Sequence, residues 1–239
     1  MNIKNFLEKG NELVLPNLSI DIVIIGYEAN ELKCLLLQIG DKWLLPGGFV
    51  LKNESVENAT KRILKERTDL ENTHFKFLEV FGDKDRRFKQ IWKDFYEKSG
   101  LIWTDYCWLN TRFVSLVYYA LVDMENTFPA LNEIDEAFAW YSFENLPSMW
   151  MDHKTIALTA RKRLKEDIKQ EHITFNLLSD EFTMPELHEL HQTILCEKLD
   201  RSRFQKKMLS SNLFERLPEK NQKSPGRNPY RYKIKPKKI

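Results

Sequence analysis

Residues 48–70 read GFVLKNESVENATKRILKERTDL, from Gly48 through Glu54, Arg62 and Glu66 to Leu70. Within it, Ser55 to Arg67 places apolar Val56, Ala59 and Ile63 at spacings of three and four amid polar residues, which predicts one amphipathic helix. Pro46-Gly47-Gly48 just before it punctuates the backbone and predicts a tight turn. Working outward, Ile20–Tyr27 (IDIVIIGY) and Leu32–Ile39 (LKCLLLQI) are β-branched and Leu-rich runs joined by the short polar stretch 28–31, the pattern of a hairpin. Phe75–Phe81, Val114–Val122 and Ala137–Phe143 supply further strands. Mixed strands around an embedded helix predict an α+β or α/β sandwich.

Pro147 opens a different texture. Ile156, Ala160, Leu164 and Ile168 recur every fourth residue over 152–169 and predict a connecting helix, followed by a junction at 171–179. Thr183-Met184-Pro185-Glu186 matches the capping box, and Leu187, Leu190 and Ile194 continue it as a helix. After a turn at 196–199, Asp200 can cap a second helix with Phe204 and Met208 on its apolar face. Phe214–Leu217 and Tyr230–Ile234 are short strands around a polar loop, 218–229. Helix, turn, basic helix and hairpin is the layout of a winged helix-turn-helix.

Charge divides along the same line. The chain holds 37 Lys+Arg against 35 Asp+Glu, a net +2 over 239 residues. Positions 200–239 carry 13 basic and 3 acidic residues, +10, which leaves −8 for the rest. The basic part points to a polyanion as partner. On the second helix Arg201, Ser202, Arg203, Gln205, Lys206 and Lys207 offer long donors for phosphates and base edges, with Arg227, Asn228 and Arg231 on the loop that would form the wing. His188 and His191 lie three apart without a third ligand and are read as packing or phosphate contacts rather than a metal site.

With 30% charged residues and no apolar run of membrane-spanning length, composition predicts a globular, cytoplasmic chain with no membrane partner. No secretory signal is visible over residues 1–10. Three scattered cysteines, Cys34, Cys107 and Cys196, form neither a disulfide framework nor a zinc motif.

The 48–70 stretch resembles the Nudix box, GX5EX7REUXEEXGU with U apolar. Gly48, Glu54, Arg62, Leu64, Glu66 and Leu70 match, whereas Ile63 and Arg67 stand where the family has Glu, and Asp69 where it has Gly. In active members the box carboxylates hold Mg²⁺ or Mn²⁺ against a diphosphate, and helical spacing brings positions 63, 66 and 67 to one side. With two of the three carboxylates gone, no metal, no cofactor and no hydrolysis are expected, and Glu54, Arg62, Glu66 and Arg67 are read as a salt-bridge network in preference to a relic phosphate site.

A degenerate box followed by a basic winged helix is similar to the Nudix-related transcriptional regulators of bacteria. That resemblance implies a Nudix-like α/β/α sandwich sensing a small molecule over residues 1–170 and a winged helix binding operator DNA over residues 171–239, acting as a homodimer. A sugar or sugar derivative is the preferred effector, because the lost carboxylates remove the metal-diphosphate logic, and ADP-ribose is second. The alternative is a Nudix hydrolase acting on a nucleoside diphosphate derivative with a basic accessory domain. Arg62, Glu66, Arg86, Trp92 and Arg112 are the candidate effector contacts. Residues 88–113 hold eight aromatics in 26, against 12% overall, which suits either a lid over a sugar ring or nucleobase, or packing in a satellite core or dimer interface.

Overall fold

The computed structural model describes residues 3–69, 74–171, 173–218 and 229–235. Helix α1 (Ile3–Leu13) leads into the long strand β1 (Val14–Glu28), then β2 (Glu31–Ile39), β3 (Lys42–Leu44) and β4 (Gly47–Leu51). Helix α2 (Val56–Thr68), β5 (Phe75–Phe81), α3 (Lys89–Lys98), β6 (Val114–Leu121) and β7 (Ala137–Ser142) complete the first part. Helix α4 (His153–Gln170) connects to β8 (Phe182–Thr183), α5 (Met184–Leu195), α6 (Arg201–Ser210), β9 (Phe214–Arg216) and β10 (Arg231–Ile234).

β1 organises the seven-stranded sheet. It pairs antiparallel with β2 (Ile25 opposite Cys34) and β4 (Ile20 opposite Gly48), and parallel with β6 (Ile22 opposite Tyr118). β7 and β3 pair with β2, and β5 lies at the edge against β6. A strand covered on both faces must be apolar at successive positions, and Ile20 to Ile25, Asp21 excepted, meet that demand. Ile20, Ile22 and Ile24 face α2 through Ala59, Ile63 and Leu64. Val23 and Ile25 face the other way, into a core shared with Ala157, Ala160 and Leu164 of α4 and with Leu187, Leu190, Phe204 and Met208 of α5 and α6. The sheet is thus sandwiched between helices, and the winged helix shares one continuous core with it. Tyr119 binds Asp167, and Lys76 pairs with Asp167 at 3.0 Å and Glu171 at 2.7 Å, fastening the end of α4 to β5 and β6.

Three elements depart from the sequence reading. Gly47 and Gly48 begin strand β4 rather than form a tight turn, and close approach explains both glycines. A Cβ at 47 would lie 2.6 Å from the Ile20 carbonyl oxygen, and one at 48 would press on the Ile63 side chain at 3.1 Å. Helices α1 and α3 were not expected. They enclose a third core of Leu7, Tyr96, Leu109 and Phe113 with Phe6, Trp92, Trp103 and Trp108. Tyr96 Oη and Trp108 Nε1 both donate to the Leu7 carbonyl, at 2.5 and 3.0 Å, and the Trp108 ring lies 2.4 Å from where a Cβ of Gly10 would be. The aromatic segment is therefore a satellite core built on the N-terminal helix.

Candidate functional site

Helix α2 is set by Ser55, whose hydroxyl accepts from the Asn58 N–H, and closed by Asp69 in the left-handed conformation. Its charged face is ion-paired. Arg62 donates through Nη2 and Nε to Glu54, at 2.7 and 3.1 Å, through Nη2 to the Phe49 carbonyl at 2.9 Å, and through Nη1 to Glu66 at 3.1 Å. Its hydrogen bonds hold the Glu54 carboxyl below the usual carboxylate range. Arg67 closes on Asp135, whose side chain is only 1% exposed and also accepts from the Asn132 N–H at 2.9 Å. Ile63 is buried in the core beneath Gly48.

This donor set does not fit the divalent cation of the Nudix box. Position 63 is apolar and points into the core, and position 67 brings a guanidinium matched to its own carboxylate. Glu66 is paired with Arg62 and 57% exposed. Among the described residues no three His, Cys, Asp or Glu side chains form a metal-binding group. The outer side of α2 instead lines a groove of about 550 Å³ with Arg62, Lys65, Glu66 and Asp69, closed by Phe128 and Ala130. Phe128 is 68% exposed there.

The other expected effector contacts lie elsewhere. Arg86, with a side chain 1% exposed, donates to Asp21 at 2.7 Å and to both oxygens of Asp152 at 3.1 and 3.2 Å, while Ser115 Oγ donates to Asp21 at 2.6 Å. The buried ring of His153 accepts the Leu45 N–H on Nδ1 at 3.0 Å, and Nε2 has no partner. Burial alone would raise the Asp21 carboxyl, but the charges of His153 and Arg86 and the Ser115 hydrogen bond outweigh it and hold it low. Trp92 packs against Phe49 and Phe95, and Arg112 lies exposed beside Phe113. Asp21, Asp135 and Asp152 as partners of Arg86 and Arg67 gave no signal in the sequence, since they lie 65 to 68 residues from the arginines they meet.

The winged helix carries the second candidate surface. The capping box is complete: Thr183 N–H donates to Glu186 at 2.6 Å and Glu186 N–H to Thr183 Oγ1 at 3.3 Å. Cys196, in the left-handed conformation, ends α5, and Asp200 caps α6 by accepting from the Arg203 N–H at 2.7 Å. Phe204 and Met208 are buried, which turns Arg201, Ser202, Arg203, Lys206 and Lys207 to solvent, with Gln205 half-buried. His188 and His191 are packing residues: both lie edge-on to Phe204, and their Nε2 atoms meet the Leu199 carbonyl and the Thr174 hydroxyl. Strands β8, β10 and β9 form the small sheet in that order, and Arg231, the first residue of the central strand β10, pairs with Glu181 at 3.4 Å. Arg216 stacks on the Tyr230 ring where the two wing strands part. Arg227 and Asn228 lie outside the described residues.

A Nudix fold with its ligand positions altered, sharing a core with a winged helix whose basic face is open, has the two-domain make-up of the Nudix-related transcriptional regulators. Residues 17–162 match the Nudix domain family and residues 174–234 the NrtR DNA-binding winged helix domain; the chain belongs to the Nudix family. It is 22% identical, over 92% of its length and 83% of the relative's, to the ADPR responsive transcriptional repressor NtrR of Acinetobacter baylyi. Its fold is similar to that of Shewanella oneidensis NrtR complexed with a 27mer DNA, at 23% identity and a TM-score of 0.71 over 91% of this chain and 93% of that one. A MutT/nudix family protein from Enterococcus faecalis matches at 22% identity and a TM-score of 0.68, over 98% and 94%. The preference for a sugar effector finds no support in these relatives, the curated one of which is named for ADPR. Among the described residues no helix is long and apolar enough to cross a membrane.

Proposed function

We propose that the chain is a transcriptional repressor that binds operator DNA through α6 and the β9–β10 wing as a homodimer, with its Nudix domain sensing ADP-ribose or a closely related nucleoside diphosphate sugar. One observation carries the DNA half: a capped helix-turn-helix whose second helix buries only Phe204 and Met208 and leaves its basic side chains without carboxylate partners among the described residues. The effector half rests on the relative's response to ADPR and on the groove beside α2, where the exposed face of Phe128 suits a base or ribose. With Ile63 and Arg67 in ligand positions, the domain binds this molecule without hydrolysing it. The division falls near residue 170, so that 1–170 senses and 171–239 binds DNA. Because α4 and α5 share the core of the sensor sheet, a shift at the sensor is transmitted to the spacing of the two recognition helices.

The test is a gel shift with DNA from upstream of the gene, run with and without ADP-ribose. Sequence-specific binding that ADP-ribose alters supports the reading; equal affinity for unrelated DNA overturns it. Phosphate release with Mg²⁺ or Mn²⁺, abolished in Glu66→Gln, would instead establish a hydrolase with a basic accessory domain.

A further inference from the structure

Helix α4 also reaches the turn that feeds the recognition helix. Its apolar positions Ile156, Ala160, Leu164 and Ile168 are buried in the core that holds Leu190 and Ile194 of α5. This orientation directs the Arg161–Lys165 flank at the end of α5. There Lys165 Nζ lies 3.1 Å from the Sγ of Cys196, the exposed residue that caps α5, and Arg161 Nη2 lies 4.0 Å from the same sulfur. The two cations differ in what else holds them. Arg161 pairs with Glu144 and lies over the Phe143 ring, so it braces α4 against the sheet. Lys165 has no carboxylate within ion-pair distance among the described residues. Five residues beyond Cys196 the recognition helix begins, and exposed Lys198 stands between them.

We infer that Lys165 of the connecting helix, together with Lys198 of the turn, is part of the DNA interface: a phosphate clamp at the turn that leads into α6. The inference rests on the DNA-binding reading above and extends it to an element outside the winged helix. The occupant is the duplex backbone, because an ammonium on a long stem is a point-charge phosphate contact without sequence information. Base reading stays with α6, and the clamp fixes the angle at which α6 enters the groove. It also ties the sensor to the DNA directly, since α4 is packed on the sensor sheet.

The experiment is fluorescence anisotropy of the full-length protein with operator and with unrelated duplex, from about 50 to about 200 mM salt. Each lost phosphate contact lowers the slope of log K against log salt by about 0.9, and the homodimer loses two, so Lys165→Gln should lose about 12-fold less affinity than the wild type across that range. Its affinity should fall by one factor on both duplexes, leaving their ratio unchanged, and Lys165→Arg should restore the slope. Cys196→Ala should leave the slope as it is. An unchanged slope in Lys165→Gln overturns the clamp, and so does a lowered slope in Cys196→Ala, which would mean that Lys165 acts only by holding the turn. Should Arg203→Ala lose operator binding while Lys165→Gln matches the wild type, the clamp fails and the DNA reading stands. If the wild type binds neither duplex, both fail.

Discussion

In α2 the guanidinium of Arg62 is closed on Glu54 and Glu66 and that of Arg67 on Asp135, whereas in α6 Arg201, Arg203, Lys206 and Lys207 stand in solvent with no carboxylate partner among the described residues. Both helices are amphipathic, and each buries its apolar side in a core. What differs is the supply of opposite charge within reach. The Nudix part of the chain is acidic and offers α2 a partner for each guanidinium, while the region around α6 is basic and, among the described residues, offers none. A helix whose charges are matched internally serves the fold. Unmatched cations on a rigid helix are kept only at an electrostatic cost, and they are available to a polyanion.

The contrast breaks most easily at Arg67. Removing it leaves the Asp135 carboxylate buried and unpaired, and breaking such a pair costs about 3–5 kcal/mol. Urea denaturation of Arg67→Ala should show a loss of that size, with operator affinity of the folded fraction unchanged. A loss under about 1 kcal/mol would mean that the α2 charges are as dispensable to the fold as surface ions. Arg203→Ala is the mirror experiment. Stability should move by less than about 0.5 kcal/mol, because the side chain touches no carboxylate. Operator binding should weaken by about 1–3 kcal/mol if the guanidinium reads a base, as equilibrium titration would show. Destabilisation without weakened binding would invert the roles assigned to the two helices.

The buried Asp21–Arg86–Asp152–His153 cluster, at the start of α4, extends the same principle to pH. Burial lowers the pKa of His153 from its ordinary value near 6.5, and the Asp21 and Asp152 carboxylates only partly oppose this beside the Arg86 guanidinium. The unfolded chain then takes up a proton near pH 6.5 while the folded one does not. Stability should therefore fall as pH drops below about 6.5 and level off below the lowered folded value, with a slope no steeper than about 1.4 kcal/mol per pH unit. His153→Gln, followed by urea denaturation between pH 5 and 7.5, should flatten that region of the curve. An undiminished slope would place the titrating group elsewhere.

The contrast between the helices was half legible in the sequence. Periodicity marked α2, α4, α5 and α6 because each buries a stripe three to four residues apart, and the β1–β2 hairpin because its register is local. The basic face of α6 followed directly, since it meets no other element among the described residues. The partners of α2 and of Arg86 did not follow, apart from Glu54 and Glu66, because Asp135, Asp21 and Asp152 reach them only through the tertiary fold. Nor did the parallel pairing of β1 with β6, which joins strands some ninety residues apart. Helices α1 and α3 escaped for a related reason: the stripe of α1 includes Gly10, which is apolar in effect only because Trp108 covers it.

The smallest expected effect tests whether the open face of α6 depends on its scaffold. Thr183 caps α5 and also pairs with Arg231 across the β8–β10 ladder, so one residue joins the helix-turn-helix to the wing. Replacing it with Ala removes an oxygen that accepts from the Glu186 N–H but leaves the strand pairing to the backbone, at a cost of about 1 kcal/mol. That loss belongs to the winged helix, and native-state hydrogen exchange should show it as weaker protection in α5 and α6 with no change in β1, β2 or β6. Because the winged helix and the sensor sheet share one core, an alternative outcome is informative. If protection falls equally in β1 and β6, the two parts unfold as one cooperative unit, and any ligand held by the Nudix domain would stabilise the winged helix through the same core.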